Sequence, residues 1–134
     1  MSLTDDDRKE VVKYRLERAN DTLLDVKLAV QNMRWNNAAN RLYYACYYAA
    51  IALLLNDGYA AARTHNGVKT LLGLHYAKKG LIDEKLMKAY RRMFNLRQTG
   101  DYDDMVVLTE DDILDLLEPA EKFISTIEKL INEK

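Results

Sequence analysis

The chain has 134 residues, 49% hydrophobic and 31% charged, with a formal charge of -1 at neutral pH. This is one domain's length, with enough apolar content for a single buried core, and the near-neutral balance excludes a protein that coats polyanions by bulk charge. Five glycines and one proline leave few turns and hence few, long elements, which favours helices.

Thr4 followed by Asp7 makes a capping-box-like start to a first helix, with acids placed to complement the helix dipole. From there Val12, Leu16, Ala19, Leu23, Val26, Val30 and Met33 recur at alternating spacings of four and three, a coiled-coil-like seam. Arg34-Trp35-Asn36-Asn37 interrupts it, and either asparagine can cap a second helix. That helix carries an unbroken apolar run from Leu42 to Leu55 and stops at Asn56-Asp57-Gly58. The run falls short of the about 17–25 residues a membrane span needs, and its tyrosine hydroxyls require partners once buried, so it reads as the central helix of a soluble bundle. Cys46 within it reads as a buried filler.

Thr64 caps a third helix with Val68, Leu71, Leu72 and His75 or Tyr76, ending near Lys79-Gly80. Asp83 opens a fourth, with Leu86, Tyr90, Met93 and Arg97 in register and Gly100 as its expected stop. A loop from Asp101 to Leu108 leads to Thr109 and Asp112, which open a fifth helix lined by Ile113, Leu116, Leu117, Ala120, Ile124, Ile127 and Ile131. Pro119 is expected to kink or split it. The expected fold is all-α: an antiparallel four-helix bundle with an additional short helix, five helices in total, residues 1–134 forming one domain. The acidic N-terminus has no apolar core of the signal-peptide kind, and the expected setting is cytoplasmic.

Charge is unevenly spread. Nine Lys or Arg face two acids from Arg63 to Arg97, whereas Gln98 to Glu118 holds eight acids and no Lys or Arg. The segment reads as neighbouring helices that complement each other or plain solvated faces, or as a basic groove around Lys88, Arg91, Arg92 and Arg97 that holds phosphates.

Asn40-Arg41-Leu42-Tyr43-Tyr44-Ala45 leading into a small-residue helix, Thr64-His65 opening the next, Arg97 with Asp101-Tyr102, and the Thr109-led last helix together resemble the HEPN-domain family, from about Val11 to Leu130. The resemblance implies a helical bundle that usually dimerises. It includes metal-independent ribonucleases and partners of minimal nucleotidyltransferases in two-gene toxin–antitoxin pairs. Catalytic members are similar to one another in an arginine followed a few residues on by histidine; a fixed cation then meets the phosphate and a group titrating near neutrality moves the proton. Here Arg97 fills the cationic role, but Tyr102-Asp103-Asp104 stand where histidine is expected. Tyrosine, with an unperturbed pKa of about 10, is a poor base at neutral pH.

The candidate catalytic residues are thus Arg97, Tyr102 and His65, and the candidate nucleotide- or RNA-binding residues are Arg41, Tyr44, His65, Arg97 and Asp101. Arg97 and Asp101 are spaced to pair along a helix. His65 and His75 each lack a second ligand at metal spacing, so neither a metal site nor a cofactor is expected. In toxin–antitoxin pairs of this family the transferase modifies a tyrosine just beyond the arginine–histidine motif, which makes Tyr102 a candidate acceptor. Three functions follow as expectations. The first is an RNA- or nucleotide-binding interaction module, homodimeric and partnered with a minimal nucleotidyltransferase. The second is a metal-independent endoribonuclease toxin with an altered motif. The third is a purely structural helical dimer.

Overall fold

The computed structural model describes residues 4–59, 64–102 and 107–133, with Tyr102 described by its backbone alone. Among these residues the protein is all-helical, with five helices and no strand: α1 (Asp5–Gln31), α2 (Trp35–Asn56), α3 (His65–Leu72), α4 (Glu84–Tyr102) and α5 (Glu110–Asn132). A π-helical turn, Gly73–Ala77, prolongs α3. No helix among the described residues is long and apolar enough to cross a membrane.

Helix α2 is the hub and packs against α1, α4, α5 and α3. Its composition explains this. Ala38, Ala39, Ala45, Ala49, Ala50 and Ala52 are all buried, and their small side chains let neighbouring helices approach from several directions. Leu42, Leu53 and Leu54 fill the space between. Cys46 is fully buried in the same core; burial alone pushes its thiol far above the usual range, so it is an inert filler as expected.

The start of each helix follows from local chemistry, with one exception. Thr4 accepts from the Asp7 amide at 3.0 Å and Thr64 from the Gly67 amide at 2.9 Å. Thr109 and Asp112 complete a reciprocal capping box on α5. The exception is α2. It begins at Trp35 with Arg34 as N-cap and no side-chain cap, rather than at an asparagine. Asn36 is turned instead toward the far side of the fold: its Oδ1 accepts from the Leu108 amide at 2.9 Å and its Nδ2 donates to the Gly100 carbonyl at 3.4 Å.

One more expectation is corrected and another is narrowed. Gly100 does not end α4, which runs on to Tyr102. The glycine serves close approach: a Cβ there would lie 3.2 Å from Leu108 Cδ1 and 3.7 Å from Asn36 Cγ. Pro119 does not split α5, which is continuous through it. Its missing N–H leaves the Asp115 carbonyl without a helical donor, and Asp115 is exposed, so water can satisfy that group.

The seam expected on α1 holds for Val12, Ala19 and Val26, which are buried, and for Leu16, Leu23 and Val30, which pack against the core. Met33 departs from it: it lies beyond the helix, 73% exposed and at φ 54°. Residues 103–106, including Asp103 and Asp104 of the expected loop, and Arg63 of the basic stretch lie outside the described residues.

Candidate functional site

Along α2, Asn40, Tyr44 and Tyr47 succeed one another at spacings of four and three and so share a face. The start of α3 and the end of α4 pack beside that face and bring His65, Arg97 and Asp101 to it. Tyr44 is the meeting point. The Arg41 guanidinium lies 5.3 Å and that of Arg97 5.6 Å from its ring centroid, and the His65 ring lies 5.9 Å away, edge to face. Three of the other four candidate binding residues thus surround this one tyrosine.

Each member of the cluster is held. Arg41 donates from Nε and Nη2 to Asn40 Oδ1 at 2.9 and 2.7 Å. Asn40 Nδ2 donates in turn to Asp101 Oδ2 at 3.0 Å, and Arg97 Nη1 lies 3.8 Å from the same oxygen. Asn40 and Asp101 therefore link the two arginines into one network. Arg97 is 5% exposed and rests against Tyr43, Tyr44 and Phe94, with its guanidinium carbon 5.1 Å from the Tyr43 centroid. Contacts of a desolvated cation with aromatic faces are each worth about 0.5–2 kcal/mol, which offsets part of the burial penalty. Arg97 thus acts on the cluster from the interior, while Arg41, Tyr44 and His65 are only half-buried.

His65 is fixed by a 2.7 Å hydrogen bond between its Nδ1 and the Tyr43 hydroxyl, and its ring lies 4.5 Å from that of Tyr47. Burial, and then the Arg97 charge, lower its pKa from the ordinary 6.5, so the imidazole is neutral at neutral pH. Burial pushes Tyr43 up to about 12. It therefore remains protonated and able to donate to Nδ1, which would leave His65 with an N–H at Nε2. The fully buried Tyr90 hydroxyl lies next to that of Tyr43 but outside good hydrogen-bond geometry, and burial drives its pKa well above the ordinary value. Tyr47 is raised for the same reason. The arrangement offers a flat aromatic face, a half-exposed cation and a neutral imidazole, the group types that meet a base and a phosphate.

Of the residues singled out from sequence, Arg41, Tyr44, His65, Arg97 and Asp101 come together. Tyr102 continues α4 one residue past Asp101, and its side chain lies outside the described residues. The other cations of the expected basic groove are partly committed: Arg91 is paired with Glu84 at 2.6 Å and Arg92 lies 3.9 Å from Asp112. Both pairs are surface pairs of small energetic weight. Sequence reasoning missed Asn40 and Tyr43 as members of the site. Asn40 could have been found from its helical spacing to Tyr44 and Tyr47. The Tyr43–His65 bond joins residues on different helices, which no local pattern reports.

The fold and this cluster define a small helical protein with an arginine–histidine–tyrosine site between its second, third and fourth helices. Residues 12–130 match the HEPN domain. A Thermotoga maritima UPF0332 protein is 38% identical over 95% of this chain and 96% of its own length. Two Methanocaldococcus jannaschii proteins are also similar. "Putative toxin MJ0605" is 30% identical over 98% of this chain and 97% of its own length, and "Putative toxin MJ0142" is 25% identical over 94% and 85%. The chain belongs to the HEPN-domain family.

Proposed function

We propose that this protein is a HEPN-type module that binds RNA or a nucleotide at the Tyr44 cluster and works beside a minimal nucleotidyltransferase in a two-gene, toxin–antitoxin-like system. The observation that carries the binding reading is the convergence of Arg41, Arg97 and His65 on Tyr44. Tyr44 stacks with a base, Arg41 contacts phosphate, and Arg97 supplies positive field from within. Asp101 keeps the arginines in place through Asn40. The names of the two Methanocaldococcus jannaschii relatives support the toxin-like setting.

The same reading takes residues 1–134 as one cytoplasmic domain and the four long helices as an antiparallel bundle with α3 packed across it. Hydrogen bonds from Arg15 to Ile51 and from Arg18 to Tyr48, where one helix is followed forward and the other backward, support that direction for α1 and α2. It also takes the functional unit as a homodimer, which would double the phosphate-binding groups of each site.

Fluorescence anisotropy with a labelled single-stranded RNA tests the binding. Saturable binding that weakens with salt, and falls on the order of tenfold in Arg41→Ala, is expected. Equal binding by wild type and Arg41→Ala would overturn the site. Co-purification with a co-expressed nucleotidyltransferase tests the partnership.

A second reading, a metal-independent endoribonuclease, is favoured by the neutral His65 held beside Arg97. His65 would move the proton in place of the histidine absent from the segment after Arg97. RNA cleavage in EDTA by wild type, absent in His65→Gln, would select this reading over binding alone.

A further inference from the structure

At the other end of α2, roughly 20 Å from Tyr44 at the rise of an α-helix, lies a polar cleft of about 430 Å³. Its lining includes Arg8 from α1, Asp57 and Tyr59 from the turn after α2, and His75, Tyr76 and Lys79 from the π-helical turn and its exit. Volumes of about 300–1,000 Å³ are those of small-molecule clefts.

The walls are organised. Tyr59 and His75 stack face to face, with ring centroids 4.5 Å apart and planes at 16°. The Tyr76 hydroxyl donates to Asp57 Oδ2 at 2.6 Å, and Asn56 Nδ2 donates to Asp57 Oδ1 at 3.0 Å. Both carboxylate oxygens of Asp57, the acid among the described lining residues, are therefore engaged by donors, which tempers its charge toward an incoming anion. Gly58, at φ 89°, makes the turn that folds Tyr59 back over His75. The π-helical turn, a feature concentrated at functional sites, offsets the register so that His75 meets Tyr59 while the adjacent Tyr76 reaches Asp57. Among the described residues, Arg8 and Lys79 bring cations to the lining, and Lys79 is exposed, its side chain making no hydrogen bond or ion pair among them.

We propose that this cleft is a second ligand site, for a free nucleoside monophosphate or a compound of the same chemistry: a flat heteroaromatic ring carrying one phosphate. The ring stacks on the Tyr59–His75 pair, and Arg8 and Lys79 hold the phosphate. A lone inorganic anion would leave the aromatic wall and most of the volume unused. The site shares no residue with the Tyr44 cluster and stands independently of the function proposed there.

The test is a titration of the full chain with AMP, and separately with inorganic phosphate, followed by calorimetry and by amide NMR shifts. AMP should bind saturably and shift the resonances of residues 57–59 and 75–79. Lys79→Ala, an exposed change that leaves the fold intact, should weaken it on the order of tenfold, as should Tyr59→Ala. Arg41→Ala should leave AMP binding here unchanged. No saturable AMP binding would overturn the proposal, as would binding that is insensitive to both Lys79→Ala and Tyr59→Ala. Inorganic phosphate binding as tightly as AMP would overturn the ligand class. Weakening by Arg41→Ala alone would return the nucleotide to the Tyr44 cluster and also overturn this site.

Discussion

His65 is the residue on which most of the local chemistry turns. Its folded pKa lies below 6.5 because burial and the Arg97 charge disfavour the imidazolium, whereas the unfolded chain takes up the proton at the ordinary value. Below that value the unfolded state binds more protons, so stability rises with pH there. His65 should therefore contribute a loss of stability as pH falls through about 6.5 toward its folded pKa, and nothing above that window. Thermal unfolding across this range should show Tm dropping on acidification, with a smaller drop in His65→Gln. An equal drop in both proteins would mean that other groups carry the effect. The environment that sets this pKa was only half legible in the sequence. Thr64-His65 marked a helix start, but the Tyr43 hydroxyl and the Arg97 charge reach His65 from two other helices, and only packing reveals them.

The helices were legible where periodicity and caps agree. The α1 seam and the apolar face of α5 follow spacing rules that burial obeys, and Thr4, Thr64 and Thr109 cap as their chemistry requires. Asn36 and Gly100 misled for one reason: each had a good local role, and each is used for a distant contact instead. Asn36 ties α2 to Leu108 and Gly100, and Gly100 gives up its side chain to make room there. Two consequences belong to this scale. Leu53, fully buried on α2, should cost about 2–5 kcal/mol when changed to alanine, read from denaturant unfolding; a negligible change would mean its surroundings collapse to fill the space. Pro119→Ala restores a donor to an uninterrupted helix and should stabilise the protein by about 1–3 kcal/mol. A fall in Tm would show that the proline makes packing contacts worth more than the missing bond.

For the whole molecule, the near-neutral charge hides a division between a basic central segment and an acidic one, and the structure partly spends both on each other through Arg92 with Asp112 and Arg97 with Asp101. The RNA or nucleotide binding proposed above is therefore assigned to the Tyr44 cluster rather than to a broad basic groove. A homodimer would set two such clusters to work on one ligand. Light scattering at micromolar concentration should give twice the chain mass, and a monomer would remove the shared-site part of the reading.

The central claim, that Tyr44 and its neighbours bind RNA or a nucleotide, is tested most directly by titrating the His65 imidazole by NMR with and without a short single-stranded RNA. In the free protein the pKa should lie below 6.5. A phosphate held beside His65 favours the imidazolium and should raise that pKa, while Arg41→Ala should abolish the rise. A His65 titration unchanged at saturating RNA would contradict the account.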